Sequence, residues 1–529
     1  MVEFWPRGGA ARGLGDLGER VVGEVLTHVF ARHVPDRQEH AVSFVVTGTV
    51  LVRLAEVAEG DRAIGCSDDV RESNVFGVLG EHVSATNAAL GLHESRTLQH
   101  EKDLLEIGLG EAGAGGNVAH GSWTGIVAVE GKRQQRATRI VASRRNSHVG
   151  SVGRTLMTTE APTLRIPQYA GACTANIVPS LLGPGGTESL PAWMPDIASG
   201  ARSVVVLVVD GLGWHQLSAR RHLAPTLASM SGGSITTVAP TTTVTALTSI
   251  ATGLAPGEHG MMGYRMDLGR RVVQMLRWAD ERGDVRREFP PELLQPCPPF
   301  LGAKVPVISR AELEGTAFTD AHLRGTTALG WKAASSIPVT IGEQLRSGAR
   351  FVYAYYDGVD KIAHACGFGE YYDAELRQAD RLVGDVCGEL GPDDVLLVTA
   401  DHGQVSVGEA LAPPHLDVLR NVAYQSGESR FRWLHAKSGR TQDVVDAARA
   451  NHGGIAHVLT RDEVIERGVF GPRVSDAARK RLGDVALIPF GCDSFEDPEE
   501  NGPHALVCRH GALTDEELDV PLLALRGGN

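Results

Sequence analysis

The chain has 529 residues, 42% hydrophobic and 22% charged, the balance of a globular protein long enough for more than one domain. A net charge of −13 argues against a general nucleic-acid binder, whose surface must offset phosphate charge, and an anionic substrate would need local cations. No apolar run approaches the roughly 18 residues of a membrane span, and seven scattered cysteines (Cys66, Cys173, Cys297, Cys366, Cys387, Cys492 and Cys508) form no CxxC pair, which fits a reducing compartment better than a disulfide framework.

Residues 1–156 differ from the rest. They hold weak helical stretches at Leu14–Arg32 and Val83–Leu92, a glycine-rich patch over 108–116, and a basic run over 132–154 with no acidic residue. Met1 to Asp16 contain no apolar h-region, so the expected location is cytoplasmic. Three readings stand for this stretch: an accessory domain with a basic arm, a poorly structured N-terminal extension, or a mis-assigned start with translation beginning at Met157.

From about residue 165 the pattern becomes regular. Strand-like runs (Ser203–Val209, Arg350–Tyr356, Asp394–Thr399) alternate with helical stretches (His215–Met230, Val244–Thr252, Ala374–Leu390). Buried apolar strands alternating with helices predict an α/β domain over 157–529, with a mostly parallel central sheet covered on both faces. Ligands of such sheets sit at the carboxyl ends of the strands. Two stretches interrupt the alternation: 265–345, rich in Arg, Pro and aromatic residues, and 425–490, which carries Arg430, Arg432 and Trp433. Both read as inserted cap regions over the site.

The residues suited to chemistry fall just past the predicted strands. Asp210 ends the first, Asp360 and His364 follow the second, Asp401 and His402 follow the third, and His510 stands near the C-terminus in His510-Gly511. Each alone has a plain reading as a turn former, a helix cap or a surface i,i+4 pair. As an ordered set, three Asp and three His suffice for two metal ions with three protein ligands each. Between them lies Pro240-Thr241-Thr242-Thr243-Val244-Thr245 at the start of a predicted helix, where the helix dipole and nearby ions lower a hydroxyl's pKa and favour a phosphoryl group. One threonine suffices as an N-cap.

This set resembles the type I phosphodiesterase/nucleotide pyrophosphatase family of the alkaline phosphatase superfamily. The resemblance rests on VVVLVVDGLG, PTTTVTALTSIATGLAPGEHG, DKIAH, VLLVTADHG and the late His-Gly, and covers roughly 165–529. It implies an alkaline-phosphatase-like fold and a metal-dependent phosphoester hydrolase, with a phosphorylated small molecule as substrate. It also implies two divalent ions, most plausibly Zn2+: Asp360, His364 and His510 at one, Asp210, Asp401 and His402 at the other. Counting back from Gly253 places the nucleophile on Thr243, beside the second ion, with a phosphothreonyl intermediate. His504 is the runner-up for the last histidine, and His259 matches a structural position. The family's Asn three residues after the nucleophile is here Ala246, which puts a nucleotide pyrophosphate substrate in doubt; Arg265, Arg277 and Lys361 are candidate replacement donors. The same resemblance leaves room for a phosphomonoesterase, a phosphonate hydrolase or a phosphomutase, and a non-catalytic binding protein keeping the fold is the rival from another class.

Overall fold

A computed structural model describes residues 161–408, 410–500 and 506–528. The readings of 1–156, the start at Met157 and the alternative ligand His504 lie outside these residues.

Strand β1 (Ser203–Val209) is a run of Val and Leu after a single Ser, all buried. β-Branched side chains pack well on a pleated surface, and a strand buried on both faces needs no polar alternation. After it come helix α1 (Trp214–Ala219), strand β2 (Ser231–Thr236), helix α2 (Thr243–Thr252), strands β3 (Pro306–Arg310) and β4 (Thr327–Trp331), helix α3 (Ser336–Arg346) and strand β5 (Phe351–Tyr356). Helices α4 (Gly358–Cys366) and α5 (Glu370–Gly388) then lead to β6 (Asp394–Thr399). The central sheet has the order β2-β11-β6-β1-β5-β3-β4, with β11 (Asp519–Arg526) between β6 and the outer strand β2. Strands β6, β1, β5, β3 and β4 run parallel. Only β11 opposes its neighbours β6 and β2. The expected α/β class with a mostly parallel sheet is borne out. Every residue of β1, β5 and β6 is buried, so both faces are covered.

Two expectations change. The helix expected over His215–Met230 is broken: α1 stops at Ala219, and a new helical turn starts at Pro225. Proline fixes φ and lacks an N–H, so it starts helices more readily than it continues them. Within 265–345, expected to be a single insert, short antiparallel strands run only between Arg265 and Asp284. Strands β3 and β4 belong to the central sheet itself. Each is five residues long and flanked by Pro, Gly or charged residues, so neither forms an apolar run that periodicity detects.

A second, wholly antiparallel sheet lies in the later insert. Its strands are β7 (Val422–Glu428), β8 (Phe431–Ala436), β9 (Ala456–Thr460) and β10 (Val485–Pro489), in the order β7-β8-β10-β9. Helix α6 (Thr441–His452) covers it, and Val422, Leu434, Val444, Val445, Val485 and Leu487 form a separate small core. The β7–β8 turn is pinned to the main body. There Arg430, fully buried, donates from Nε and Nη2 to the two oxygens of Glu517 at 2.7 Å each. Glu517 also accepts from the Ala512 N–H at 3.0 Å and the Thr514 hydroxyl at 2.8 Å. A buried pair so engaged is costly to break on one side only. Arg430→Met should lower unfolding stability by about 3–5 kcal/mol, and adding Glu517→Leu should recover much of that loss. Urea unfolding of both variants checks this, and a double variant no more stable than the single one would contradict it.

Candidate metal centre

The sheet delivers the candidate ligands to one edge. Asp210 follows β1 and Asp401-His402 follow β6, the strand beside it, while Asp360 and His364 lie on α4, just after β5 on the other side. The turn after Asp210 needs glycine: Gly211 has φ of 73°, and a Cβ there would lie 2.9 Å from the Cα of Asp360. This close passage lets the Asp360 N–H donate to the Asp210 carbonyl at 3.1 Å and the Gly211 N–H donate to Asp401 Oδ1 at 3.1 Å. His510 follows the short strand Cys508–Arg509, which pairs with Val405–Ser406 just beyond His402.

The donor atoms converge in two groups. His364 Nε2 lies 3.3 Å from Asp360 Oδ1 and 3.2 Å from His510 Nε2, and His510 Nε2 lies 3.9 Å from Asp360 Oδ1. His402 Nε2 lies 3.5 Å from Asp210 Oδ1, 3.4 Å from Asp401 Oδ2 and 3.2 Å from the Thr243 hydroxyl. Asp360, His402 and His510 also approach closely enough to share an ion, with the His402 and His510 rings stacked 3.7 Å apart. Tetrahedral ligands at zinc distances of about 2.0–2.1 Å stand roughly 3.3 Å apart, close to most of these separations.

Hydrogen bonding fits the same purpose. Each imidazole Nδ1 faces a backbone carbonyl: His364 toward Cys508 at 2.7 Å, His510 toward Thr241 at 2.8 Å and His402 toward Gly403 at 3.1 Å. A carbonyl only accepts, so Nδ1 carries the proton and each Nε2 turns a lone pair into the pocket. His364 Nε2 and His510 Nε2 face each other at 3.2 Å, a separation that two ligands of one ion can adopt. The two carboxylate oxygens nearest His402 Nε2, Asp210 Oδ1 and Asp401 Oδ2, are buried and lack any hydrogen-bond partner. The donors present fit divalent metal ions.

Without ions this pocket is electrostatically strained. Burial, then the neighbouring Asp401 and Asp360, push the Asp210 carboxyl well above the ordinary range. Burial likewise raises Asp360 and Asp401. It lowers His402, and it lowers His510 strongly, with His402 and His364 adding to the effect.

The threonines are not equivalent. Thr241 is buried and tied to the His510 loop, donating to the Ala512 carbonyl at 2.8 Å and accepting from the Gly511 N–H at 3.0 Å. Thr242 is the buried N-cap residue of α2, and Thr245 is buried with its hydroxyl unpartnered. Thr243, in the first turn of α2, is only half-buried and meets His402. His259 is buried, bonded to Ser249 at 2.8 Å, and takes no part in the cluster. Ala246 lies in a small apolar core with Cys173, Ala175 and Val238. Of the proposed replacements, Arg265 is buried against Asp497 at 2.5 Å, Lys361 binds Asp357 and Arg277 is exposed.

Three further residues escaped sequence reading. The Tyr355 hydroxyl donates to Asp210 Oδ2, and Gln404 Nε2 donates to Asp360 Oδ1 at 2.7 Å, so both steady ligand carboxylates. Glu428, at the end of β7, is buried beside Thr242 and Tyr264 with Oε1 unpartnered, and burial raises its carboxyl to about 8. Its Cγ lies 2.8 Å from where a Cβ on Gly511 would be, so Gly511 admits it beneath the His510 loop. Gln404 follows Asp401-His402-Gly403 directly and Tyr355 alternates with outward neighbours in β5, but nothing in the local pattern of the β7–β8 hairpin marks Glu428.

The sequence matches the type I phosphodiesterase / nucleotide pyrophosphatase family over residues 204–511. No curated protein matches it. Among solved structures, murine ectonucleotide pyrophosphatase/phosphodiesterase 5, in an inactive form in complex with AMP, is similar at 15% identity, TM-score 0.47, covering 61% of this chain and 87% of that one. The human counterpart gives 14% identity, TM-score 0.46, and coverage of 62% and 88%. Phosphonoacetate hydrolase from Sinorhizobium meliloti, in complex with phosphonoacetate, gives 16%, 0.46, and coverage of 62% and 91%.

Two outcomes follow from the electrostatics. Burial raises the Asp210 and Asp401 carboxyls, which hold protons to higher pH than free carboxyls do, so zinc uptake should release protons and strengthen as pH rises. Calorimetry in buffers of different ionisation enthalpy measures this, and buffer-independent heats would refute it. Glu428 rises from 4.5 when unfolded to about 8 when folded, so it costs stability increasingly as pH climbs through that window. Glu428→Gln should therefore be more stable than the native protein at pH 8, by an unfolding free energy on the order of a few kcal/mol in urea titrations, with the gap shrinking toward pH 5.

Proposed function

The chain belongs to the type I phosphodiesterase/nucleotide pyrophosphatase family, and from that premise we propose that this phosphoester hydrolase acts through Thr243 as nucleophile beside two divalent ions, most plausibly zinc. Asp360, His364 and His510 would hold one ion, and Asp210, Asp401 and His402 the other. Such ions supply neutralisation of phosphoryl charge and a lowered pKa for an adjacent hydroxyl. The observation that carries the reading is the donor pattern: three imidazoles direct Nδ1 at carbonyls and Nε2 at carboxylate oxygens, of which Asp210 Oδ1 and Asp401 Oδ2, beside His402, have no other partner.

The chain's own residues then divide the work. Helix α2 directs its positive end toward the reacting phosphoryl group, as anion sites at helix N-termini do. The Thr243 hydroxyl loses its proton, its oxygen attacks phosphorus, and the bond to the leaving oxygen breaks. The resulting phosphothreonyl ester is cleaved by water, returning Thr243 and releasing phosphate or a phosphomonoester. Thr241 and Gly511 hold the nucleophile loop against the His510 loop, which fixes the direction of attack. Tyr355 and Gln404 keep Asp210 and Asp360 from rotating. Six unpaired cysteines among the described residues support a cytoplasmic location. The fold boundary proposed for the catalytic domain remains 157–529.

Thr243→Ala and Asp210→Asn should each reduce turnover of an aryl phosphodiester by about a thousandfold or more, the scale of losing a nucleophile or its electrostatic support. Metal analysis of the native protein should find close to two ions per chain. Undiminished turnover in both variants, with native-like circular dichroism, would eliminate this mechanism. Parallel rates on matched mono- and diesters distinguish a diesterase from a monoesterase.

A further inference from the structure

We infer that Arg310 and Lys361 form a second anion subsite beside the metal pocket, and that the substrate is a phosphoester carrying a further anionic group. This deepens the hydrolase reading and rests on it. The placement comes from strand register. Val307 and Ile308 of β3 pair with Tyr353 and Ala354 of β5, while Tyr356 pairs with Val209 at the end of β1. Arg310, the last residue of β3, therefore stands level with the strand ends that precede Asp357 and Asp210. It is two strands from β1, about 10 Å at ordinary strand spacing. Lys361 reaches the same place from α4, where it is the residue after Asp360.

The two cations converge on one carboxylate oxygen. Lys361 Nζ donates to Asp357 Oδ2, and Arg310 Nη1 lies 3.5 Å from the same atom. Arg310 has one other acidic neighbour, Glu312 Oε2 at 3.5 Å, whose side chain is 63% exposed. Its guanidinium lies over the Trp331 ring at 5.4 Å, and Trp331 is its direct register partner on β4. The ring fixes the guanidinium plane, which suits a planar, forked donor to a carboxylate or phosphate. Lys361 remains 53% exposed and Arg310 32%. Their shared partner Asp357 is only 10% exposed, so an arriving anion would be bound by the N–H donors that the two cations keep free rather than by displacing that carboxylate. In a chain of net charge −13 these are cations concentrated at the same sheet edge as the proposed ions. A carboxylate and a phosphate would both satisfy them.

The test uses three aryl phosphodiesters alike except for one arm, which carries a neutral group, a carboxylate or a phosphate. The native protein should favour one or both charged arms over the neutral arm in kcat/KM by roughly tenfold, the effect of two partly screened ion pairs. Arg310→Ala and Lys361→Ala should each shrink that ratio, mainly through KM, and Arg310→Lys should restore part of it. The preference should also fade with added salt. The arm preferred identifies the anion. A native ratio near one, or a ratio unchanged in both variants, overturns the subsite while leaving hydrolysis intact. No turnover on any arm removes the hydrolase reading and the subsite with it. Thermal melts of the variants separate a folding defect from a lost preference.

Discussion

Three aspartates and three imidazoles crowd together at the carboxyl end of a parallel sheet, and the rest of the site is arranged around that crowding. Two buried carboxylates a few ångströms apart repel strongly, and each loses its water shell. Protein atoms do little to relieve this. Asp210 Oδ1 and Asp401 Oδ2 have no hydrogen-bond partner, and the imidazole protons are committed to carbonyls on the far side. A fold keeps such a cluster only if cations offset the charge, because the alternative is protonation of the carboxyls. The same burial raises the Asp210, Asp360 and Asp401 carboxyls toward that alternative.

The strain is held by rigid elements. Strands β1, β5 and β6 lie in the middle of the sheet and are buried throughout, so Asp210, Asp357 and Asp401 start from fixed positions. The remaining parts arrive on loops, and these are locked to one another. Thr241 bonds the Gly511–Ala512 backbone, Glu517 braces Ala512, and Arg430 of the cap grips Glu517. The β7–β8 hairpin is thereby part of the support for the Thr241–Thr243 loop. Glu428 belongs to the same hairpin and sits beside Thr242, which places another desolvated carboxyl next to that loop.

How much of this was legible in the sequence follows from where each signal resides. Asp210 was readable because it ends a seven-residue run that is apolar after its first Ser and is fully buried, and Asp401-His402 because they follow another buried strand. Asp360 and His364 were readable as an i,i+4 pair after β5, since helical periodicity is local. Thr243 needed the family spacing, because four threonines compete and only their tertiary partners separate them. Strands β3 and β4 were not readable: five residues each, at the sheet edge, with proline and glycine within them, they lack the apolar length that marks β1. Glu428 and Arg430 were invisible for another reason. Their roles depend on contacts with Thr242 and Glu517, which no short-range pattern encodes.

The same division separates chemistry from selectivity. Residues that hold ions must be immobile, so they sit at the ends of central strands or are bonded to them. Residues that choose a substrate need some exposure and must keep donors beyond those their resting partners engage. Arg310 and Lys361 meet that requirement: they share one carboxylate, remain partly solvated, and stand on the next strand and the next helical residue from the ligand positions. Cations there add what the central pocket lacks. The ions would offset the pocket's own carboxylates and one phosphoryl group, and little positive charge would remain for a second anion. In a chain with a net charge of −13, binding a doubly anionic phosphoester therefore depends on cations outside the metal pocket, at the distance that the strand spacing sets.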